Sequence, residues 1–386
     1  MKKENSKKRV VLGMSGGVDS SVAALLLQQK GFEVIGLSLE LYSCDRPLGK
    51  GCCTPKDRLD ARRICEQLKI AYDILDLRSS FKNHVIDYFA AEYAKGRTPL
   101  PCAPCNRDVR FKAMLDYADS VGAYWIATGH YARVAENDDG TFSLWKGIDP
   151  KKDQSYFLWG LSQKELARLQ FPIGDFTKEE IRNKARAFGL VTSDKPDSQE
   201  LCFVGDEEHS HFLEEHYPQT LSGPGDFVDV SGVKLGHHRG IHAYTVGQRR
   251  GLNLSFGERR YVVALDAQKN EIVLGSKEQL RATGLIAKNI HWIDPRFTPA
   301  RRQFGGIHSC PPAVWQDPRL PAGSLARCTI RIRSTHKGIL AGIKESEEGM
   351  EVLFDKPQEA ITPGQAAVFY DGALCLGGGW IERGLS

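Results

Sequence analysis

The stretch Val10-Val11-Leu12-Gly13-Met14-Ser15-Gly16-Gly17-Val18-Asp19-Ser20-Ser21 decides how the rest of this chain is read. Its apolar start reads as a short strand, and its middle as a glycine turn rich in small hydroxyls. A helix is expected from Val22 to Lys30, closed by Gly31. Gly16 and Gly17 permit close backbone approach. The N–H groups and dipole of the helix start favour an anion, and Ser15, Ser20 and Ser21 add hydroxyl donors. The stretch predicts a phosphate cradle. No lysine lies between Gly13 and Ser21, so it is not a Walker loop. The spacing also fails G-x-G-x-x-G, which argues against a dinucleotide fold.

The SGGVDS segment resembles the pyrophosphate loop of ATP pyrophosphatases, which split ATP into AMP and pyrophosphate and adenylate a carbonyl. That resemblance implies an α/β fold with a Rossmann-like parallel sheet. It also implies binding of ATP with Mg2+ by Gly13, Met14, Ser15, Gly16, Gly17, Val18, Asp19 and Ser20. A glycine turn with no ligand is the bland alternative.

The chain has 386 residues, enough for two or three domains. A formal charge of +4 is nearly balanced, so any nucleic-acid site must be a local patch. No apolar run approaches the ~18 residues that suggest a membrane span. Lys2, Lys3, Lys7, Lys8 and Arg9 precede only a short apolar strand, too brief for a signal peptide. A cytoplasmic location is expected.

Strand-like and helix-like segments alternate through the first half of the chain. Phe32 to Leu39 reads as a buried parallel strand. Its carboxyl end belongs at the ligand edge of an open α/β sheet, which makes Leu39 a candidate adenine contact. Ala123 to Thr128 is a second such strand, and it delivers Gly129 and His130 to the same edge. From Gly223 onward, short strands alternate with glycine turns. The expected organisation is a catalytic domain of the pyrophosphate-loop type over 1–222, a small β-rich domain over 223–284 and a β-barrel over 285–386. Phe304 to Pro321, rich in Gly and Pro, reads as an inserted loop.

Ten cysteines in a chain of this size do not suggest a disulfide scaffold. Cys65, Cys328 and Cys375 lie in helical or strand-like runs and read as small buried hydrophobes. Cys102 and Cys105 form a C-x-x-C among three prolines, and Cys105 is expected just before a helix capped by Asn106, where a thiolate is favoured. Three readings compete: a zinc site, a redox dithiol, and a sulfur-handling site. The zinc reading lacks a fourth ligand even with Cys202.

The set SGGVDSS, CNRDVRFK, TGHYAR, KDQSYFL, DSQELCFVG, YTVGQRRGL, ITPGQAAVFY and CLGGGWIE resembles the bacterial and organellar tRNA 2-thiouridylases, in family order from about Arg9 to Arg383. The resemblance implies ATP-dependent sulfur transfer to the 2-position of the wobble uridine of tRNA. It places the persulfide on Cys202 and the second catalytic cysteine at Cys105, with a disulfide between them after turnover. Many members carry Asp where this chain has Cys102. Members with the cysteine are implied to hold a 4Fe–4S cluster on Cys102, Cys105 and Cys202, and this route is expected ahead of plain cysteine chemistry.

The same resemblance implies tRNA contacts at Leu100, Pro101, Cys102, Lys152, Asp153, Gln154, Arg333, Ser334 and Gln365, with His130 near a flipped target base. Ser334 replaces the family's usual aromatic. Basic pairs at Lys151–Lys152, Arg249–Arg250 and Arg331/Arg333 are candidate phosphate contacts. The sulfur donor is implied as a cysteine desulfurase, a sulfur-relay protein or free sulfide. Two other classes remain open: an amide-forming synthetase with the same loop, and a non-catalytic RNA-binding module. The synthetase needs neither Cys102, Cys105 and Cys202 nor the terminal β-barrel, and the module is RNA-binding or metal-stabilised with a degenerate nucleotide fold.

Overall fold

Val10, Val11 and Leu12 have no exposed surface, which is what an apolar, β-branched run achieves when strands flank it on both sides. In the computed structural model, residues 8–42, 55–196, 201–204, 208–254, 257–294 and 326–385 are described. Cys44, Cys52, Cys53, Asp197 to Glu200, Cys310 and the loop expected from Phe304 to Pro321 lie outside the described residues.

The chain forms two units, each drawing on separated stretches of sequence. The first comprises residues 1–86, 102–207 and 373–375. Its centre is a five-stranded parallel sheet in the order β3-β2-β1-β4-β7. These strands are β1 (Arg9–Gly13), β2 (Glu33–Glu40), β3 (Ala71–Asp76), β4 (Trp125–Ala127) and β7 (Leu169–Gln170). Val11 lies between Ile35 and Ile126 in register. A hairpin of β5 (Ala132–Glu136) and β6 (Phe142–Lys146) stands beside it, with Leu374 and Cys375 paired to Trp145 and Leu144.

The longest helices described in this unit are α1 (Val18–Gln29), α2 (Pro55–Leu68), α3 (Phe111–Ser120) and α4 (Lys178–Ala187). Val22, Ala23, Leu26 and Leu27 of α1 meet Ile64 of α2 and Ile181 and Ala185 of α4 in one core. The parallel sheet matches the sequence reading. Helix α1, however, begins four residues earlier than the expected Val22, inside the glycine-rich motif itself. Val18 is buried and draws the first turn onto the core.

The second unit comprises residues 87–101, 208–372 and 376–386. It holds a four-stranded sheet, order β10-β11-β8-β9, from β8 (Gly225–Asp229), β9 (Lys234–His238), β10 (Tyr261–Asp266) and β11 (Glu271–Gly275). Phe227, Ile241, Tyr244, Val262, Ile272 and Leu274 form its core. A barrel follows: β12 (Arg281–Trp292), β13 (Ala326–Arg331), β14 (Ile339–Ser346), β15 (Gly349–Glu359), β16 (Ala366–Asp371) and β17 (Leu374–Leu385). The order β12-β15-β14-β13-β16-β17 closes through β17 on β12. Closure removes the exposed edges that an open sheet would leave. Cys65, Cys328 and Cys375 are all buried, as expected of core thiols. Burial pushes the Cys65 thiol up to about 12 and raises that of Cys328 as well.

Candidate active site

The loop after β1 is held by its own small side chains. Met14 N donates to Leu37 O at 2.8 Å, which keeps the loop in step with β2. Ser20 Oγ donates to Gly17 O at 3.2 Å and accepts from Ser15 N at 3.3 Å. Ser15 Oγ accepts from Gly17 N at 3.4 Å. Gly16 has φ +69°, and a Cβ there would lie 2.1 Å from Asp57 O of α2. A Cβ on Gly129 would lie 2.8 Å from Ser20 N, so only glycine lets the end of β4 close on the start of α1. Leu39 is buried in β2, two residues beyond Leu37.

Two lysines reach this loop from far along the chain. Lys178 Nζ lies 2.8 Å from each carboxylate oxygen of Asp19, which also accepts from Tyr131 OH at 2.8 Å. Lys195 Nζ donates to Gly16 O (2.9 Å), Asp57 (2.6 Å) and Asp60 (2.8 Å). Burial works against the Lys195 ammonium, but its two aspartates outweigh burial and raise its pKa. The sequence reading missed both lysines. They stand 159 and 179 residues from the loop atoms they touch.

The segment after β4 links the loop to the KDQ motif. Gln154 N donates to Tyr131 O, and Tyr131 N donates to Gln154 Oε1 at 3.0 Å. Asp153 accepts from Gly147 N, Ser155 N and Ser155 Oγ, so its carboxylate shapes the turn into Ser155–Phe157. Lys152 N donates to Asp149 O. His130 Nδ1 pairs with Thr128 Oγ1 at 2.6 Å, and its ring stands between Phe111 and Phe171. Burial, with the Arg110 charge adding to it, pushes the His130 pKa down to about 3. The imidazole is neutral near pH 7.

Cys105 does not precede a helix start. A helical run begins at Cys102 and continues into α3, with a π-turn over Cys105–Arg110. Pro104 fits because its missing N–H falls in the first turn. Asn106 is not a cap: its side chain donates to Phe157 O at 3.1 Å from a buried position. Cys105 is buried and Cys102 exposed. Cys202 lies in the turn Leu201–Val204, beside the buried Phe203. The Phe203 ring meets Phe81 edge-on at 5.7 Å, and the helix Arg78–Phe81 packs against the Cys105 π-turn. Both cysteine segments thus rest on one short helix.

Among the described residues, no three His, Cys, Asp or Glu side chains gather as metal ligands. The expected 4Fe–4S cluster on Cys102, Cys105 and Cys202 has no support in this arrangement. No disulfide joins described cysteines.

In the second unit, Gln365 Nε2 donates to Thr98 O (3.1 Å) and Pro99 O (3.3 Å), next to the buried Leu100 and Pro101. Arg333 is exposed in the turn after β13, whereas Ser334 O accepts from Arg331. Arg331 is buried over the Tyr370 ring, which removes it from the expected basic pair. Arg249 and Arg250 are exposed. No described helix is long and apolar enough to cross a membrane.

Three family models match: the tRNA methyl transferase HUP domain over residues 8–206, the tRNA methyl transferase PRC-barrel domain over 210–276, and the aminomethyltransferase beta-barrel domain over 310–381. The tRNA-specific 2-thiouridylase MnmA of Carboxydothermus hydrogenoformans is 42% identical over 98% of this chain and 99% of its own length. The chain belongs to the tRNA-specific 2-thiouridylase family. The MnmA of Geotalea uraniireducens is 43% identical over 100% of this chain and 98% of its own. That of Heliobacterium modesticaldum is 42% identical over 98% of this chain and 94% of its own.

Proposed function

We propose that this chain is a tRNA-uridine 2-sulfurtransferase that uses ATP to replace the 2-oxygen of the wobble uridine with sulfur. The observation that carries this reading is the end-to-end likeness to 2-thiouridylases, at 42–43% identity. The family models' wording names methyl transfer. The named relatives point to sulfur transfer instead, and the segments that carry Cys105 and Cys202 both adjoin the helix Arg78–Phe81.

A pyrimidine 2-carbonyl is a poor electrophile, and its oxygen is a poor leaving group. Attack of that oxygen on the α-phosphorus of ATP releases pyrophosphate and turns the oxygen into part of departing AMP. The loop Gly13–Ser20, with Leu39 and Gly129, holds the nucleotide in this reading. When bound, Mg2+ screens the polyphosphate charge, and Asp19 is the carboxylate placed to hold it. A cysteine desulfurase or a sulfur-relay protein passes the outer sulfur of its own persulfide to the Cys202 thiolate and leaves as a thiol; free sulfide, as the alternative donor, is already at the level of the hydrosulfide that adds at C2. The Cys105 thiolate attacks the inner sulfur, forming a Cys105–Cys202 disulfide and releasing hydrosulfide. Hydrosulfide adds at C2, AMP leaves, and a thiol reductant restores both cysteines.

Residues 1–222 carry this chemistry. Leu100, Pro101, Cys102, His130, Lys152, Asp153 and Gln154, with Arg333, Ser334 and Gln365 of the barrel, contact tRNA. Asp153 and Gln154 do so as residues that also hold their own turn. The test is anaerobic incubation of the protein with ATP, sulfide and unmodified tRNA, followed by mass spectrometry of the wobble nucleoside. Appearance of 2-thiouridine with matching pyrophosphate supports the reading, and pyrophosphate without thiolated base sinks it.

A further inference from the structure

Burial divides the three cysteines: Cys102 is exposed, Cys105 is buried, and Cys202 lies between them in exposure. We infer that Cys102 is the thiol that reopens the disulfide left by sulfur transfer, taking Cys105 over from Cys202 and presenting the bond to the outside reductant. The inference rests on the sulfur-transfer reading above.

Cys102 is the first residue of the helical run that continues through Cys105 into α3. Ala103 and Pro104 are buried, so within the C-x-x-C it is Cys102 that solvent reaches. Residues three apart on a helix are neighbours, with Cβ atoms about 5–6 Å apart. A disulfide brings its Cβ atoms to about 3.8 Å. The movement needed, about 2 Å, falls in the first turn, where helices fray. Pro104 has no backbone N–H for that movement to break.

After transfer, Cys105 and Cys202 are joined. The Cys102 thiol gives its proton to solvent, and its sulfur attacks the Cys105 sulfur. The Cys102–Cys105 bond forms as the Cys105–Cys202 bond breaks, and Cys202 leaves as a thiolate. Cys102 is oxidised and Cys202 reduced, with no outside electron carrier. An external thiol then attacks the exposed Cys102 sulfur, and Cys105 leaves as a thiolate. A second external thiol releases Cys102 and completes the reductant's own disulfide. Direct reduction is the slower route, because a dilute external thiol competes with one held in the same helical turn, where effective concentrations are far higher. The exchange also returns Cys202 to a thiolate, ready for the next sulfur, before any reductant arrives.

Wild type, Cys102→Ser and Cys202→Ser, loaded anaerobically with glutathione persulfide and desalted, test this. Each is given ATP and unmodified tRNA without reductant until product formation stops. Iodoacetamide trapping and peptide mass spectrometry then map the bridge. Wild type should carry predominantly Cys102–Cys105 with Cys202 alkylated, whereas Cys102→Ser should carry Cys105–Cys202. When dithiothreitol is added, alkylatable Cys105 should return at least about tenfold more slowly in Cys102→Ser. Cys202→Ser should form no bridge, because the exchange needs the first disulfide. A Cys105–Cys202 bridge retained in wild type overturns the inference, and so does equal recovery in wild type and Cys102→Ser. A Cys102–Cys105 bridge in Cys202→Ser also overturns it, since that bridge would come from direct oxidation; this arm stands if Cys102→Ser does not fold. Wild type that makes neither 2-thiouridine nor any bridge overturns the sulfur-transfer reading itself, a different result from these.

Discussion

The nucleotide loop and the cysteine segments are built by different forces, although both belong to the same unit. The loop is a charged construction: two aspartate–lysine systems close on a glycine turn from 159 and 179 residues away. The cysteine segments are an apolar construction, in which Phe81, Phe203 and the π-turn of Cys105 pack together. An ionic site tolerates small shifts of its partners because Coulomb attraction falls slowly with distance. A packed site depends on shape and loses contact abruptly. Charge changes should therefore damage nucleotide handling first, and cavities should damage sulfur transfer first.

The largest effect is expected at the thiols. Cys105→Ser or Cys202→Ser should lower 2-thiouridine formation by at least ~100-fold while tRNA-dependent pyrophosphate release stays within about threefold, since the two halves are separable steps. Comparable loss of both signals would break the division. Next comes Phe203→Ala, which opens a cavity under Cys202. Thiolation should fall about tenfold, as displaced reacting groups lose their alignment, while metal-free pyrophosphate binding is unchanged.

Lys195→Met works on the other side of the comparison. It removes the ammonium shared by Asp57 and Asp60, while Asp60 keeps Arg63 at 3.8 Å. With Lys195 part-exposed, the cost in unfolding free energy should be about 1–2 kcal/mol, read by urea titration. A variant as stable as wild type would remove the anchor role.

The smallest effect is a slope. His130 titrates near 3 in the fold and near 6.5 unfolded, so the unfolded chain takes up its proton first as pH falls. Folded stability from this residue is full above about pH 6.5 and is lost as pH drops toward 3, by at most about 1.4 kcal/mol per pH unit. His130→Asn should flatten that acid limb. An unchanged limb would mean the ring is not shielded as its Phe111 and Phe171 neighbours imply.

Much of this architecture was legible because local signals carry it. The Val10–Leu12 run and the Gly16–Gly17 pair sit side by side in sequence, and β13 to β17 follow one another between Ala326 and Leu385. Lys178 and Lys195 were illegible because nothing local ties a lysine to a loop so far upstream. The π-turn at Cys105 was missed for a different reason: an i→i+5 turn leaves no distinct hydrophobic period. Arg331 was misread with Arg333 as one basic face. Strand β13 ends at Arg331, so the alternation that would place both on one side stops there. The unequal burial of the two cysteines of the C-x-x-C, Cys105 buried and Cys102 exposed, is likewise something spacing alone does not encode.

The interleaving of the two units has a consequence for synthesis. The helix Asp87–Ala94 leaves the ribosome in the middle of the first unit's sequence, but its partners come later. Tyr93 stacks on His209 at 4.7 Å, Asp87 accepts from Tyr217 at 2.6 Å, and Arg97 pairs with Glu382 at 2.8 Å. Until those residues emerge, Tyr93, Asp87 and Arg97 lack these partners. The nascent chain must hold this helix in waiting for most of its translation. A fragment ending near residue 207 would lack all three contacts.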